Sequence, residues 1–389
     1  MRDVVVVGAG PGGSATAYFL ARAGADVLLV DKAEFPRDKT CGDGLTPRAL
    51  RVIDQMGVLP QVSRAGCPVE GYEVVAPNGR ATAAPISSEH GALAVPRQKL
   101  DDILRRRALE GGAAFEQVNV VNVESAAESV RVQSEKGGIE ARSVVIATGA
   151  ATGLLTRSGI LRRQPRVMLA ARAYFEGLQT RPVFQLRFDH VPLPGYGWAF
   201  PIAAGGANVG VGFVPHKRRN YTAAAVFKRF AATLPTRAQQ VGPLKGYPIR
   251  VDFLSAPTFA GRTLLVGEAA GLVNPLTGEG IDYALESGAI AADHLLREAP
   301  SSEYDAALRS RFGKLFRFSE IVRDWYCSPV MLNALVRLAN ARPALRQLLT
   351  EIVLGEREPA GYGPGTMAAR LTLYVVRTQA WRRGARVRA

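Results

Sequence analysis

The segment FPRDKTCGDGLTP, Phe35 to Pro47, holds a lone cysteine among charged residues and glycines. A structural cysteine prefers an apolar core, whereas a reactive thiol needs positive charge nearby to lower its pKa, and access to a partner. Arg37, Lys39 and the flexible run Gly42-Asp43-Gly44 suit the reactive description of Cys41, with a bystander thiol as the alternative. Upstream, VVVVGAGPGGSAT sets Gly8, Gly10 and Gly13 in GxGxxG spacing, between an apolar run and a helix-forming one. The first glycine permits a tight turn and the second lets backbone approach a pyrophosphate. The third allows helix to pack closely on strand, and the helix's free N–H groups face the phosphate. Asp31 ends the next apolar run about 20 residues on, where a carboxylate accepts ribose hydroxyls and repels a 2′-phosphate. A dinucleotide site follows from this combination.

A scaffold must bring these groups together. Residues 3–7 read as a buried strand, SATAYFLARAG as a helix closed by Gly24, and DVLLVDK as a second strand, which completes a βαβ unit. PRQKLDDILRRRALEGG, 96–112, is an amphipathic helix with Leu100, Ile103, Leu104 and Ala108 on one face. SVVIATGA, 143–150, is another buried strand, and TLLVGEAAG, 263–271, is a strand leading towards a helix over 280–296. Residues 66–95 and 165–255 alternate polar and apolar side chains, the pattern of antiparallel strands. From about 301 the chain is helical again. The expected fold class is therefore α/β. A Rossmann-like domain is assembled from 1–65, 96–164 and 256–300, with a β-rich substrate domain from 66–95 and 165–255 and a C-terminal helical region, 301–389, carrying a basic tail.

Composition narrows the function classes. With 47 % hydrophobic residues the chain can bury a large core, and no run of about 18 apolar residues marks a transmembrane helix. Cys41, Cys67 and Cys327 are too scattered for a disulfide framework or a CxxC metal site, and His90, His190, His216 and His294 also stand apart, so no metal is expected and a reducing cytoplasm fits. The net charge of +15 is concentrated partly in RTQAWRRGARVRA, 377–389, where five arginines surround Trp381. Such a tail suits an anionic membrane surface, with a solvated tail as the alternative. Nothing resembles a nucleic-acid-binding motif, so nucleic acid is not expected as a partner.

The segment LLVGEAAGLVNPLTGEGIDYALESG, 264–288, resembles the FAD-binding fold of the aromatic hydroxylase superfamily, with Glu268 where that superfamily carries Asp. The resemblance implies FAD. Glu268 would meet the ribityl hydroxyls through a lengthened or tilted contact, and the helix opened by Gly278-Glu279-Gly280 would face the flavin with its positive dipole end. Arg97 matches the superfamily's arginine at the start of a helix reaching the cofactor, and Val120, in EQVNVVNV, falls where a strand offers backbone to adenine. The full cofactor set expected is Gly8, Gly10, Pro11, Gly12, Gly13, Asp31, Lys32, Lys39, Thr40, Cys41, Gly42, Arg97, Val120, Gly149, Gly267, Glu268, Pro275, Gly278, Glu279, Gly280 and Ile281.

FPRDKTCGDGLTP, PGYGWAFP (194–201) and NPLTGEGIDYALESG (274–288), in that order, resemble the geranylgeranyl reductase family over roughly residues 1–300, nearest to bacterial menaquinone side-chain reductases. That family saturates isoprenoid C=C bonds. The resemblance implies that Tyr196, Trp198, Phe200 and Pro201 line a cavity for a prenylated lipid or quinone, and that Cys41 lies beside the flavin ring. Cys41 and Asp43 are the candidate proton donors, and Tyr196 is a candidate for stabilising a cationic carbon through its ring face. No second GxGxxG follows a strand, so the electron donor stays open among NADPH, ferredoxin and quinol. The alternative is a monooxygenase or halogenase of the same fold acting on an aromatic or polyketide-like substrate. Against it, Tyr196 replaces the first Trp of the halogenase WxWxIP motif, and ATGAATG (147–153) carries Thr148 where NAD(P)H-using hydroxylases have a DG motif.

Overall fold

The computed structural model describes residues 1–353 except 179, 204 and 216–220. The basic tail and His216 lie outside the described residues. The run of Val4 to Val7 is buried on both faces, as a central parallel strand must be, and forms the strand Arg2–Val7 in the middle of an eight-stranded sheet. Its parallel neighbours are Val27–Asp31 on one side and Gly137–Ile146 on the other. Ala114–Gln117 and Thr263–Leu265 extend the parallel set outward. Val120–Ser125 and Val130–Ser134 add an antiparallel flap on Gly137–Ile146.

A second, seven-stranded sheet runs in the order Gln239–Arg250, Val167–Glu176, Gly206–Phe213, Gly195–Ile202, Val183–Arg187, Gly71–Val75, Ala81–Pro85. It is antiparallel except where Val183–Arg187 lies parallel to Gly71–Val75. A small sheet of Gly44–Leu45, Ala92–Ala94 and Cys67–Val69 lies behind the cysteine loop. One helix in the second region departs from the all-strand reading: Ala223–Ala231, capped by the Thr222 hydroxyl, which accepts from the Ala225 N–H at 3.2 Å. Its Val226, Phe227 and Phe230 recur at helical spacing and bury themselves against the sheet. Phe230 presses so closely on Gly197 that an added Cβ there would stand 2.3 Å from its ring.

In the first region, the helix Pro11–Arg22 starts with proline at its first position, and the left-handed Gly24 (φ 93°) follows its end. The helix Arg97–Glu110 buries Leu100, Leu104 and Ala108, with Ile103 half-buried beside them. The 263–271 segment is a three-residue strand followed by a 3-10 turn, Gly267–Ala270, before the helix Ile281–Leu296 begins. From the C-terminal region, the helix Ser301–Ile321 sends Tyr304, Leu308, Phe312 and Phe316 into the main core, where Phe316 meets Tyr283 at 5.0 Å and Phe253 at 5.1 Å between ring centroids. The helices Pro329–Ala341 and Pro343–Val353 pack on the edge strand Ala81–Pro85, and the Asn340 amide donates to the Ala81 carbonyl. No helix among the described residues is long and apolar enough to cross a membrane.

The helices Pro11–Arg22 and Ile281–Leu296 cross at a point where Gly288 faces Gly12 and Thr16. A Cβ on Gly288 would lie 2.6 Å from the Gly12 carbonyl oxygen and 2.9 Å from the Thr16 hydroxyl. Gly288→Val should therefore push the two helices apart and destabilise the fold by about 1–3 kcal/mol, read as a lowered denaturation midpoint, together with weaker flavin retention.

Candidate active site

A cavity of ≈ 670 Å³ runs from the glycine loop at residues 8–12 to the aromatic strand Gly195–Ile202. At one end Gly8 (φ 107°) makes the turn, and a Cβ there would strike the Ala147 carbonyl oxygen at 2.5 Å. Among the described residues no side chain caps the helix Pro11–Arg22, so its first N–H groups face the cavity unoccupied by protein. Asp31 is oriented by two backbone donors, Ala9 N–H at 2.8 Å and Ala33 N–H at 2.9 Å. Asp31, Lys32 and Val120 line this end, the place for an adenosine and its pyrophosphate.

In the middle of the cavity Glu268 lies on the lining beside Gly149 and Gly267. Its extra methylene, relative to Asp, is accommodated by backbone: the Arg250 N–H donates to Oε1 at 2.9 Å and Ala150 also donates. Burial pushes the Glu268 carboxyl up, with Lys39 opposing. Burial lowers Lys39 to about 8, and its ammonium sits over the Tyr247 ring at 3.3 Å. The helix Ile281–Leu296 starts after Gly280, its first-turn N–H groups meeting the Asp282 carboxylate, with Gly278, Glu279, Gly280 and Ile281 on the lining. The free start of the helix Pro11–Arg22, a ribose-type carboxylate and a long connected cleft fit FAD.

Four of the expected contacts fall elsewhere. Gly13 does not line the cavity, because the Gly8 carbonyl oxygen fills the space of its Cβ at 1.7 Å; it serves helix-on-strand packing. Pro275 does not line it either; the turn around it is closed by the Asn274 side chain, which accepts from Leu276 and Thr277 N–H. Pro201 faces away, since strand alternation puts it on the side opposite Tyr196, Trp198 and Phe200. Asp43 is the fourth. Its left-handed backbone (φ 66°) turns the carboxylate under the loop, fully buried. There it accepts from Tyr174 Oη at 2.7 Å, Asn208 Nδ2 at 2.8 Å and Arg97 N–H at 3.3 Å, which makes it an anchor of the loop and not a group facing the cavity. Burial pushes Asp43 up to about 6, against the pull of Tyr174 and Asn208.

Cys41, Lys39, Thr40, Gly42 and Arg97 line the cavity together with Tyr196, Trp198 and Phe200. The expected lowering of the Cys41 pKa is overturned. Burial raises it, and although Arg97 stands beside the thiol, its guanidinium is held bidentately by Asp101 at 2.7 Å for each bond. Arg37 is paired with Asp101 as well, at 2.9 Å. The thiol thus keeps its proton at neutral pH. The glycines of the loop are required by the wall: a Cβ on Gly42 would meet Phe200 at 3.2 Å, and one on Gly44 would meet Phe184 at 3.2 Å. Residues that sequence reasoning missed complete the contact. Trp198 Nε1 donates to Asn208 Oδ1 at 3.0 Å, while Asn208 Nδ2 donates to the Cys41 carbonyl and to Asp43, both at 2.8 Å. Tyr196 Oη donates to the Thr277 carbonyl, which joins the wall to the loop before the helix Ile281–Leu296.

A dinucleotide cradle opening onto an apolar wall defines the chain as an FAD-dependent oxidoreductase, and residues 1–163 match the FAD binding domain family. The chain is 35 % identical to menaquinone reductase of Mycobacterium tuberculosis over 81 % of both chains. It is 30 % identical to digeranylgeranylglycerophospholipid reductase 1 of Methanopyrus kandleri over 83 % of this chain and 88 % of that one. These relatives place it in the geranylgeranyl reductase family of FAD-dependent oxidoreductases, to which it belongs. Its fold is shared with a geranylgeranyl bacteriochlorophyll reductase-like protein of Thermoplasma acidophilum (TM-score 0.77, 22 % identity, covering 90 % of this chain and 99 % of that chain). A flavin-dependent brominase also shares it (TM-score 0.76, 20 % identity, covering 96 % and 98 %).

Asp31→Ala should weaken FAD binding by roughly 10- to 100-fold, the loss expected for charge-assisted hydrogen bonds, measured as flavin fluorescence released on dilution. Asn208→Leu keeps the volume but leaves Asp43 and the Trp198 N–H short of partners. It should lower stability by about 2–4 kcal/mol in denaturant unfolding.

Proposed function

We propose that the chain reduces C=C bonds of an isoprenoid chain borne on a lipid or quinone. The observation that carries this reading is the wall. Tyr196, Trp198, Phe200 and Phe184 form a continuous run of rings with centroids 6.1, 6.3 and 4.5 Å apart, facing the same cavity as the cofactor cradle. Rings of this kind offer large apolar area to a prenyl chain and discriminate against water. The named activities of the menaquinone and digeranylgeranylglycerophospholipid reductases support a prenylated substrate.

When bound in reduced form, FAD supplies the hydride. The remaining work belongs to the chain's residues. An isolated trisubstituted alkene is a poor hydride acceptor, so a proton must arrive as positive charge develops on the tertiary carbon. Because Tyr196 Oη is committed to Thr277, the ring face is what Tyr196 presents to that charge, and burial holds its phenol protonated. Cys41 keeps its proton in the same space and packs its neutral thiol between Arg97 and the wall. Lys39 and Arg97 give the cofactor side of the cavity its positive charge. A nicotinamide, a ferredoxin or a quinol returns the electrons. The arginine-rich tail, by its composition, suits an anionic lipid surface, which would place the enzyme at the cytoplasmic face of the membrane holding its substrate.

Anaerobic incubation with dithionite and prenylated lipids, read by mass spectrometry, should show a gain of two hydrogens per bond reduced. A gain of oxygen or halogen under aerobic conditions would replace this reading with that of a monooxygenase or halogenase. Phe200→Ala removes ring area from the wall and should raise KM for the prenyl substrate roughly 10-fold with a smaller change in kcat.

A further inference from the structure

At the start of the helix Ile281–Leu296 stands a group of charged side chains for which the backbone of the cofactor cradle and the aromatic wall give no chemical role. Glu279 and Asp282 both line the cavity. Asp282 is 2 % exposed, and its Oδ2 has no hydrogen-bond partner among the described residues. Arg48 reaches these acids from the helix Pro47–Gln55; it is 4 % exposed, and its Nη1 likewise lacks a partner among the described residues. Its Nε is committed to Glu286 Oε2 at 3.1 Å, and Glu286 is paired also with Arg311. One guanidinium is thus shared among three carboxyl groups. Two neighbouring carboxyls in so dry a place cannot both ionise.

The remaining groups facing Glu279 are Thr277, Tyr196 and Tyr283. Thr277 Oγ1 donates to Glu279 Oε2 at 3.3 Å, and the Thr277 carbonyl takes the Tyr196 hydroxyl, so Glu279 and the wall are tied to one turn. Burial, reinforced by the Asp282 charge, pushes Glu279 up to about 8, while Arg48 and Thr277 act against it. Burial pushes Asp282 to about 6, with Arg48 again opposing.

We propose that Glu279 is the acid that protonates the alkene, with Asp282 as the positioning residue that keeps the proton on it and Arg48 as the cation that the carboxylate faces once the proton has gone. This rests on the reductase reading above. The Glu279 O–H bond breaks and a C–H bond forms at one alkene carbon, while the hydride supplied by the reduced cofactor forms the second C–H bond at the other. The π pair and the hydride pair end as two C–H σ pairs, and Glu279 is left as a carboxylate facing Arg48. Its proton returns from solvent past Asp282 and Glu286, which lie four residues apart on one helix face.

The test uses the FAD-loaded enzyme, reduced anaerobically by dithionite, in single-turnover reduction of a prenylated quinone across pH. The wild type should slow as pH rises past about 8, because the proton is then lost from Glu279. Glu279→Gln should be about 100-fold slower and lose that alkaline limb, Glu279→Asp should restore part of the rate, and Cys41→Ser should keep the limb. Asp282→Asn, which removes the neighbouring charge, should move the limb to lower pH, and it decides the matter if Glu279→Gln fails to fold. A Glu279→Gln enzyme with wild-type rate and limb, a limb lost in Cys41→Ser, or a limb unmoved in Asp282→Asn would overturn the proposal. Thermal unfolding of the oxidised, substrate-free enzyme gives an independent readout. A carboxyl whose pKa rises from 4.5 unfolded to about 8 folded binds its proton more tightly when folded, so stability falls as pH climbs through that window. Glu279→Gln should lose less stability than wild type across it; equal losses would overturn the proposal. Should the wild type reduce no prenyl chain at all, the reductase reading fails, and the unfolding comparison still decides whether Glu279 holds the proton.

Discussion

Asn208 sits fully buried in the strand Gly206–Phe213, where its neighbours along the strand are alanine, valine and glycine. Its amide oxygen takes the Trp198 indole N–H, and its amide nitrogen donates to the Cys41 carbonyl and the Asp43 carboxylate. A buried amide without partners would cost about 1–3 kcal/mol, so the side chain is stable there only with the cysteine loop and the aromatic strand in this one relation. The loop can lie this close because Gly42 and Gly44 have no Cβ to meet Phe200 and Phe184. Asp43 adopts its left-handed backbone because the two donors below reward it for pointing its carboxylate down. The cavity between cofactor cradle and substrate wall is in this sense a consequence of one hydrogen-bonded fork.

Charge in this interior is handled by pairing. Arg97 with Asp101, Arg250 with Asp252 and Arg172 with Asp38 are each held at 2.6–2.7 Å, and all three arginines are nearly or fully buried. Such pairs contribute little net stability once desolvation is counted, but they fix geometry. Arg250 illustrates the use: its Nη1 donates to the Ala269 carbonyl and its backbone N–H to Glu268, so one residue orients both the 3-10 turn and the acid on the lining. Lys39 has its ammonium over the Tyr247 ring, and Arg48, paired through Nε with Glu286, leaves Nη1 without a hydrogen-bond partner among the described residues; both border the cavity directly or through the acids that line it.

Much of this was legible in the sequence wherever the rule is local. The glycine loop, its flanking strand and helix, Asp31 and the later helix start follow from spacing alone, because tight turns and helix N-termini are set by a few adjacent residues. The parity of the wall follows from a local rule too, although the family resemblance put Pro201 on the lining against it. Tyr196, Trp198 and Phe200 share one face at a period of two, and the same period sends Pro201 to the other. What escaped depends on partners far along the chain. Asn208 and Tyr174 meet Asp43 across 165 and 131 residues, and no local pattern announces them. The expected lowering of the Cys41 pKa failed for the same reason: Arg37 and Lys39 are close in sequence, but Asp101 takes up Arg37 and Arg97, and burial then governs the thiol.

The shared fold of reductase-like and brominase neighbours means that chemistry must be set by what the wall and its two bordering loops expose. Here the polar atoms of the wall are turned inward. The Tyr196 hydroxyl goes to Thr277 and the Trp198 N–H to Asn208, so ring faces are what this side offers. An alkene loses no hydrogen bond on entering such a space, whereas a polar reagent loses its hydration. Beside these rings Glu279 and Cys41 both hold protons that burial keeps from leaving at neutral pH. A dry wall that favours an apolar chain, set against neutral proton-bearing groups and a cradle for a hydride-carrying cofactor, is what addition of hydrogen across an unactivated double bond requires. The same dryness performs both tasks, since the burial that excludes water is also the cause of the raised carboxyl and thiol pKa values.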